Sequence, residues 1–209
     1  MDNGSTHSIR RVPPPSVRLL ADVACPWSYL TLLALQRAFG ADLRLEWHPF
    51  LLNPRDLVRQ RTRLLEAVNR YAEQLGAPFR AEALAQPIDG RLAHAVILAV
   101  TPAETPGTAS ALFRARFARG EALASPAAIE AALATALGAP AAARAMHAAE
   151  ACKPLVDRAD RAARIAGVGE IPVSVLDDAY VIAGLQPPES FVGLAELAAT
   201  ERRLRGEGG

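Results

Sequence analysis

The sequence predicts an α/β protein. A βαβ unit and a ββα unit form two parts of one sheet, and an all-helical insertion separates them. Three observations carry this reading. An apolar run, a helical stretch and an alternating stretch follow one another within about 35 residues near the start, a compact βαβ unit. Helix-start signals then recur at proline after proline, with no comparable strand between them. Two short β-rich runs around a pair of aspartates, followed by an amphipathic stretch, close the chain.

"VRLLADVA", Val17 to Ala24, is an apolar run behind a proline-rich lead and suits a buried strand. Pro26 then stands where proline is best tolerated, at the first helical position, and "WSYLTLLALQRAF" continues as a helix until Gly40 ends it. "LRLEWHPF" alternates: Leu43, Leu45 and Trp47 point one way, and Arg44, Glu46 and His48 the other. Further helices are expected from "NPRDLV", "TPGTASALFRARFA" and "SPAAIEAALATAL", with Thr105 and Ser125 capping ahead of a proline at N1. "KPLVDRADRAARIAG" reads as another helix, closed by Gly167. Pro172 to Leu176 and Tyr180 to Ala183 read as strands joined at Asp177-Asp178, and "PPESFVGLAELAATERRL" as the last helix. The tail "RGEGG" is expected to fray.

The totals narrow the classes. The chain has 209 residues, 51% hydrophobic and 22% charged, which suits one soluble globular domain or one domain with an insertion. A net charge of +1 offers no broad field for nucleic acid or an anionic membrane. The lead "MDNGSTHSIRRVPPPSV" has no apolar core behind its charges, and no run is long enough to span a membrane. Two cysteines, Cys25 and Cys152, are too few for a disulfide scaffold, so a cytoplasmic protein with reduced thiols is expected. There is no G-x-S-x-G elbow, no P-loop and no glycine fingerprint. Four histidines and two distant cysteines give no metal-ligand spacing.

The informative stretch is "DVACPWSYL", Asp22 to Leu30. Cys25 precedes a proline, which disfavours helical backbone for it and places it extended at the helix cap. Its sulfur then faces the free N–H groups and the positive end of the helix, which stabilise a thiolate. The residues alone equally allow a buried, inert cysteine. Ser28 stands where a dithiol enzyme carries its second cysteine, and a hydroxyl cannot resolve a mixed disulfide.

Four stretches together carry a resemblance. They are "DVACPWSYL"; "WHPFLLNP"; "RLAHAV" with "ALFRARFARGEALASPAAI"; and "GVGEIPVSVLDDAYVIAGLQPPESF". In this order and spacing the chain resembles the DsbA-like thioredoxin-fold superfamily over roughly Val17 to Leu204. It is most similar to the branch of 2-hydroxychromene-2-carboxylate isomerases, kappa-class glutathione transferases and FrnE-type oxidoreductases. The resemblance implies a discontinuous thioredoxin-like domain, 14–52 plus 156–205, around a helical insertion, 53–155. It also implies that Pro172 is a cis-proline beside Cys25, with the backbone of Ile171 pairing with a ligand. From the residues alone, a trans proline opening a strand is the simpler reading.

By this resemblance Cys25 is the nucleophile and Ser28 its partner. Pro26, Trp27, His48, Asn53, His94, Ile171, Pro172 and Gln186 are candidates for binding a substrate or a thiol cofactor. Each has a plainer alternative: Trp27 as packing, His48 as a rim residue, Asn53 as a helix-start residue before Pro54, Gln186 as a loop residue. His94 is expected on a helix facing the cleft, and His7 and His147 on the surface. Cys152 is a poor resolving thiol. About 14 helical residues at about 1.5 Å each separate it from the loop before Pro172, roughly 20 Å, whereas a disulfide needs Cα atoms within about 7 Å.

One-thiol chemistry remains. In the first form the thiolate adds reversibly to a conjugated double bond, which rotates as a single bond before the thiolate leaves. This redox-neutral isomerisation of a small, apolar, conjugated metabolite of secondary metabolism is the preferred expectation, with no cofactor required. In the second form a small thiol of the glutathione or mycothiol type resolves a disulfide exchange. A thioredoxin-fold protein that only binds a partner is the third reading. The resemblance is compatible with a homodimer.

Overall fold

A computed structural model of the chain describes residues 15–53 and 61–206. In chain order, the first part comprises strand β1 (Ser16–Ala21), helix α1 (Pro26–Phe39) and strand β2 (Arg44–Pro49). Helices α2 (Arg61–Gln74), α3 (Gly90–Leu98), α4 (Thr105–Phe113), α5 (Pro126–Leu137) and α6 (Ala139–Ile165) follow. Strands β3 (Val173–Leu176) and β4 (Tyr180–Ala183) and helix α7 (Pro188–Leu204) close it. The sheet order is β2-β1-β3-β4, with β1 parallel to β2 and antiparallel to β3, and β3 antiparallel to β4. One sheet therefore receives strands from both ends of the chain, as expected from the sequence.

Alternation sets which strand faces are buried. Val17, Leu19 and Ala21 of β1 are fully buried, and in β2 Leu45 and Trp47 are buried while Arg44 and Glu46 are exposed. The hairpin turn is of the mirror-image kind that suits twisted strands: Asp177 and Asp178 both have positive φ, at 49° and 56°, and the Ala179 N–H donates to the Leu176 carbonyl. Apolar side chains of the helical block close over the sheet as an aromatic stack. Tyr29 lies 5.5 Å from Phe117, which also stacks with Phe79 and Phe113.

Three expectations need correction. The first strand ends at Ala21, not Ala24, because the Asp22 carboxylate accepts the Ala24 N–H and turns the chain. Thr105 does not cap α4. It is the helix's first residue, and its hydroxyl donates back to the Thr101 carbonyl. The helix expected to start at Lys153 is part of the 27-residue α6, with Pro154 inside it. Ala142, Ala145, Ala149, Val156 and Ala163 form one continuous buried face, and its packing on α3 and α5 outweighs the roughly 3 kcal/mol that an interior proline costs. Helix α6 runs unbroken past residue 155, and Gly167, with φ at 83°, follows its end. The helix start expected at Pro54, the proline-rich lead with His7, and residues 207–209 of the tail lie outside the described residues.

Ser125 does cap α5, its Oγ accepting the Ala128 N–H at 3.2 Å. Ser125→Ala is expected to lower the free energy of unfolding by about 1 kcal/mol, read from the urea midpoint; an unchanged midpoint contradicts this role.

Candidate active site

The strand register gathers the site at one end of the sheet. Ala21 pairs with Pro49 and Leu20 with Val173, so the turn after β1, the segment after β2 and the residues before β3 meet there. Cys25 is the N-cap of α1, with extended backbone (φ −92°, ψ 118°) and Pro26 next. The Ile171–Pro172 peptide bond is cis, and Pro172 directly precedes β3 at this same end.

Asp22 holds the turn together. Its carboxylate is buried, and Oδ1 accepts the Ala24 N–H at 2.8 Å while Oδ2 accepts the Leu52 N–H at 2.7 Å. His94 Nε2 on α3 lies 3.3 Å from Oδ1. On the main chain, the Asp22 carbonyl accepts the Cys25 N–H at 3.0 Å, and the Asp22 N–H donates to Ser28 Oγ at 3.3 Å. That last bond occupies a lone pair of the Ser28 hydroxyl and leaves its proton for the Cys25 sulfur.

Burial decides the state of Cys25. The residue is 3% exposed, and its thiol is pushed up to about 11, chiefly by loss of solvent. The Ser28 hydroxyl and the N–H groups of Ser28 and Trp27 pull the other way, and the Asp22 charge pushes it further up. The thiol makes no capping hydrogen bond of good geometry, so the N–H groups act on the sulfur at longer reach. The expected thiolate at the helix N-terminus is therefore not the ground state of the free protein, because desolvation outweighs the helix end.

The other candidates divide. Trp27 is half-buried and packs edge-on against Tyr71, with ring centroids 5.6 Å apart. His94 is fully buried beneath the turn, so it lines no open cleft in this structure. His48 is half-exposed and bonded to Glu46 at 2.7 Å. Asn53 is exposed just after Leu52. Gln186 bonds the Ala183 carbonyl and lines a groove with Arg37 and Tyr71 in which Cys25 takes no part. His147 is exposed on α6, as expected.

Residue patterns missed three participants. Asp22 was hidden as the tail of an apolar run, although an acidic residue there is itself a signal of a buried, satisfied carboxylate. Trp47 read as plain core; its indole N–H donates to His94 Nδ1 at 2.9 Å. Arg116 had no signal. It is 2% exposed in a single π-helical turn, Arg114–Ala118, and both terminal nitrogens donate to the Gln86 carbonyl at 3.2 Å. Burial lowers its guanidinium to about 10, while Asp22 supports its charge.

Among the described residues no group of three or more His, Cys, Asp or Glu side chains is arranged to hold a metal ion, and no helix is long and apolar enough to cross a membrane.

Comparison with known proteins agrees with this architecture. A 2-hydroxychromene-2-carboxylate isomerase structure is 19% identical, covering 92% of this chain and 98% of its own, with a TM-score of 0.66. A candidate disulfide isomerase from Nitrosomonas europaea is 20% identical over 93% and 99% of the two chains, with a TM-score of 0.68. The cytosolic disulfide reductase DsbM from Pseudomonas aeruginosa is 20% identical over 91% and 98%, with a TM-score of 0.61. No curated protein sequence matches. The family of the DSBA-like thioredoxin domain matches residues 16–195, nearly the whole chain, and the protein belongs to that family.

Proposed function

We propose that the protein is a single-cysteine thiol enzyme that isomerises a small conjugated substrate without net redox change. The observation that carries this reading is Ser28: it fills the resolving position, is fully buried, and turns its hydroxyl toward Cys25. Cys152 offers no substitute, lying about two turns before Asp160, where α6 meets the Leu51 backbone, about 12 Å along the helix and beyond the roughly 7 Å between Cα atoms that a disulfide allows. Loss of a resolving thiol removes half of a dithiol oxidoreductase's mechanism and nothing from an isomerase's.

The chemistry balances with one sulfur. The Cys25 S–H bond breaks, the sulfur bonds the β-carbon of an enone or enoate, and the proton passes to the substrate's carbonyl oxygen. The former double bond rotates as a single bond, and the reverse steps return thiol and isomerised product. The Ser28 hydroxyl and the two backbone N–H groups steady the sulfur's developing charge. The closed thiol is reached only when a neighbour shifts, and Trp27 is the half-exposed neighbour on the turn. No cofactor is needed.

A specific observation favours a second reading. DsbM has also been solved with GSH, at 20% identity and a TM-score of 0.60, which supports disulfide exchange resolved by an external small thiol. The two readings separate with a cis-4-oxo-2-enoate as probe. The isomerase reading expects turnover without added thiol, abolished in Cys25→Ala and slowed about tenfold to a hundredfold in Ser28→Ala. Full turnover in Cys25→Ala, with glutathione disulfide exchange by the unaltered protein, overturns it.

The buried thiol also links pH to stability. A thiol at about 9 when unfolded and about 11 when folded stabilises the fold fully below about 9, and that contribution is lost as pH rises toward 11. The unfolding free energy of the unaltered protein is expected to fall by about 2–3 kcal/mol more than that of Cys25→Ala across this window, in urea titrations. Parallel pH curves contradict the burial of an un-ionised thiol.

A further inference from the structure

His94 and Trp47 take no part in the chemistry above, yet they form a buried relay ending at the turn that carries Cys25. Trp47 offers only a donor, so its indole N–H at 2.9 Å makes His94 Nδ1 the acceptor. The ring's one proton is then on Nε2, aimed at Asp22 Oδ1. A second proton on Nδ1 would set N–H against N–H and break the bond to Trp47. The hydrogen bonds to the Asp22 carboxylate then all come from neutral donors, the N–H groups of Ala24 and Leu52 and the imidazole, with the Arg116 charge acting on it without a hydrogen bond.

We propose that His94 is a positioning residue for Cys25, acting through Asp22, and that Trp47 fixes it as the neutral Nε2–H tautomer, so that the ring adds no second positive charge to that of Arg116 beside the carboxylate. The relay adds to the burial that keeps the thiol protonated, and a protonated thiol without a resolving partner is protected from oxidation. This proposal rests on Cys25 being the reacting group but not on which reaction it performs.

The charged and titratable groups around the relay are few. Asp22 faces Cys25 from the turn, and Arg116 faces Asp22 from the π-helical turn with its guanidinium on the Gln86 carbonyl. His48 and Glu46 are engaged with each other, and Glu46 also with Arg18. Trp47 packs among rings, 6.0 Å from Phe113 and 5.7 Å from His94, so Trp47→Phe keeps most of the packing and removes one N–H.

The test is alkylation of Cys25 by iodoacetamide as a function of pH, in a Cys152→Ser background so that one thiol reports. The background protein is expected to react about tenfold faster for each pH unit from 6 to 9, with no other inflection. With Trp47→Phe, Nδ1 loses its donor, the ring is no longer fixed as the Nε2–H tautomer against Asp22, and alkylation at pH 6 is expected to be several-fold faster. A superimposable profile from a folded Trp47→Phe protein overturns the proposal. Should that variant not fold, nitrogen NMR of the unaltered protein decides directly. A bare Nδ1 and a protonated Nε2 on His94 from pH 6 to 9 support the relay, and an Nδ1–H tautomer overturns it.

Discussion

The structure around the reactive end of the sheet depends on one buried carboxylate. Asp22 costs several kcal/mol to remove from water, and only its partners make that tolerable. Those partners come from three places in the chain: the β1–α1 turn, the segment after β2, and helix α3. The segment after β2 is in turn bolted to the distant helix α6. Asp160 accepts the Leu51 N–H at 2.9 Å, Arg164 donates to the Leu51 carbonyl at 2.6 Å, and the Arg164 guanidinium lies 4.4 Å over the Phe50 ring. Helix α6 and the turn carrying Cys25 are thus linked through a short run of backbone, Phe50 to Leu52, that ends on Asp22.

The state of Cys25 shows how magnitudes decide between two correct arguments. A helix N-terminus favours an anion by about 0.3–1 kcal/mol, rising to about 2 in protected geometry. Full burial can move a titratable group by as much as about 3–5 pH units the other way. Here burial wins, and the thiol stands at about 11 despite the cap position and the Ser28 hydroxyl. In the proposed reaction the donors retain their value, because they would face a sulfur whose charge develops only in the transition state. A thiol held un-ionised fits the proposed one-sulfur chemistry, in which Ser28 cannot rescue an oxidised cysteine.

Much of the fold was legible because local rules and tertiary packing agree. The alternation of Leu45 and Trp47 against Arg44 and Glu46, the capping by Ser125 and the Asp177-Asp178 turn all follow from short-range chemistry. Where they disagree, packing won: Pro154 reads as a helix start but sits inside α6, whose buried face extends to both sides of it. The turn carrying Cys25 and Ser28 was legible as a motif, and its surroundings were not. Asp22, His94, Trp47 and Arg116 are brought together from positions 22, 94, 47 and 116, and no local pattern predicts a hydrogen bond across such separations. The level of the Cys25 thiol was misjudged for the same reason, since burial is a property of the assembled core.

The central claim is that one sulfur serves the reaction and is returned unchanged. It is tested most directly by counting free thiols during extended turnover of a cis-enone, in the absence of any added thiol. The account predicts many product molecules per protein with the thiol count constant from start to finish. A count that falls as product forms, or product that forms only when glutathione is supplied, would contradict it.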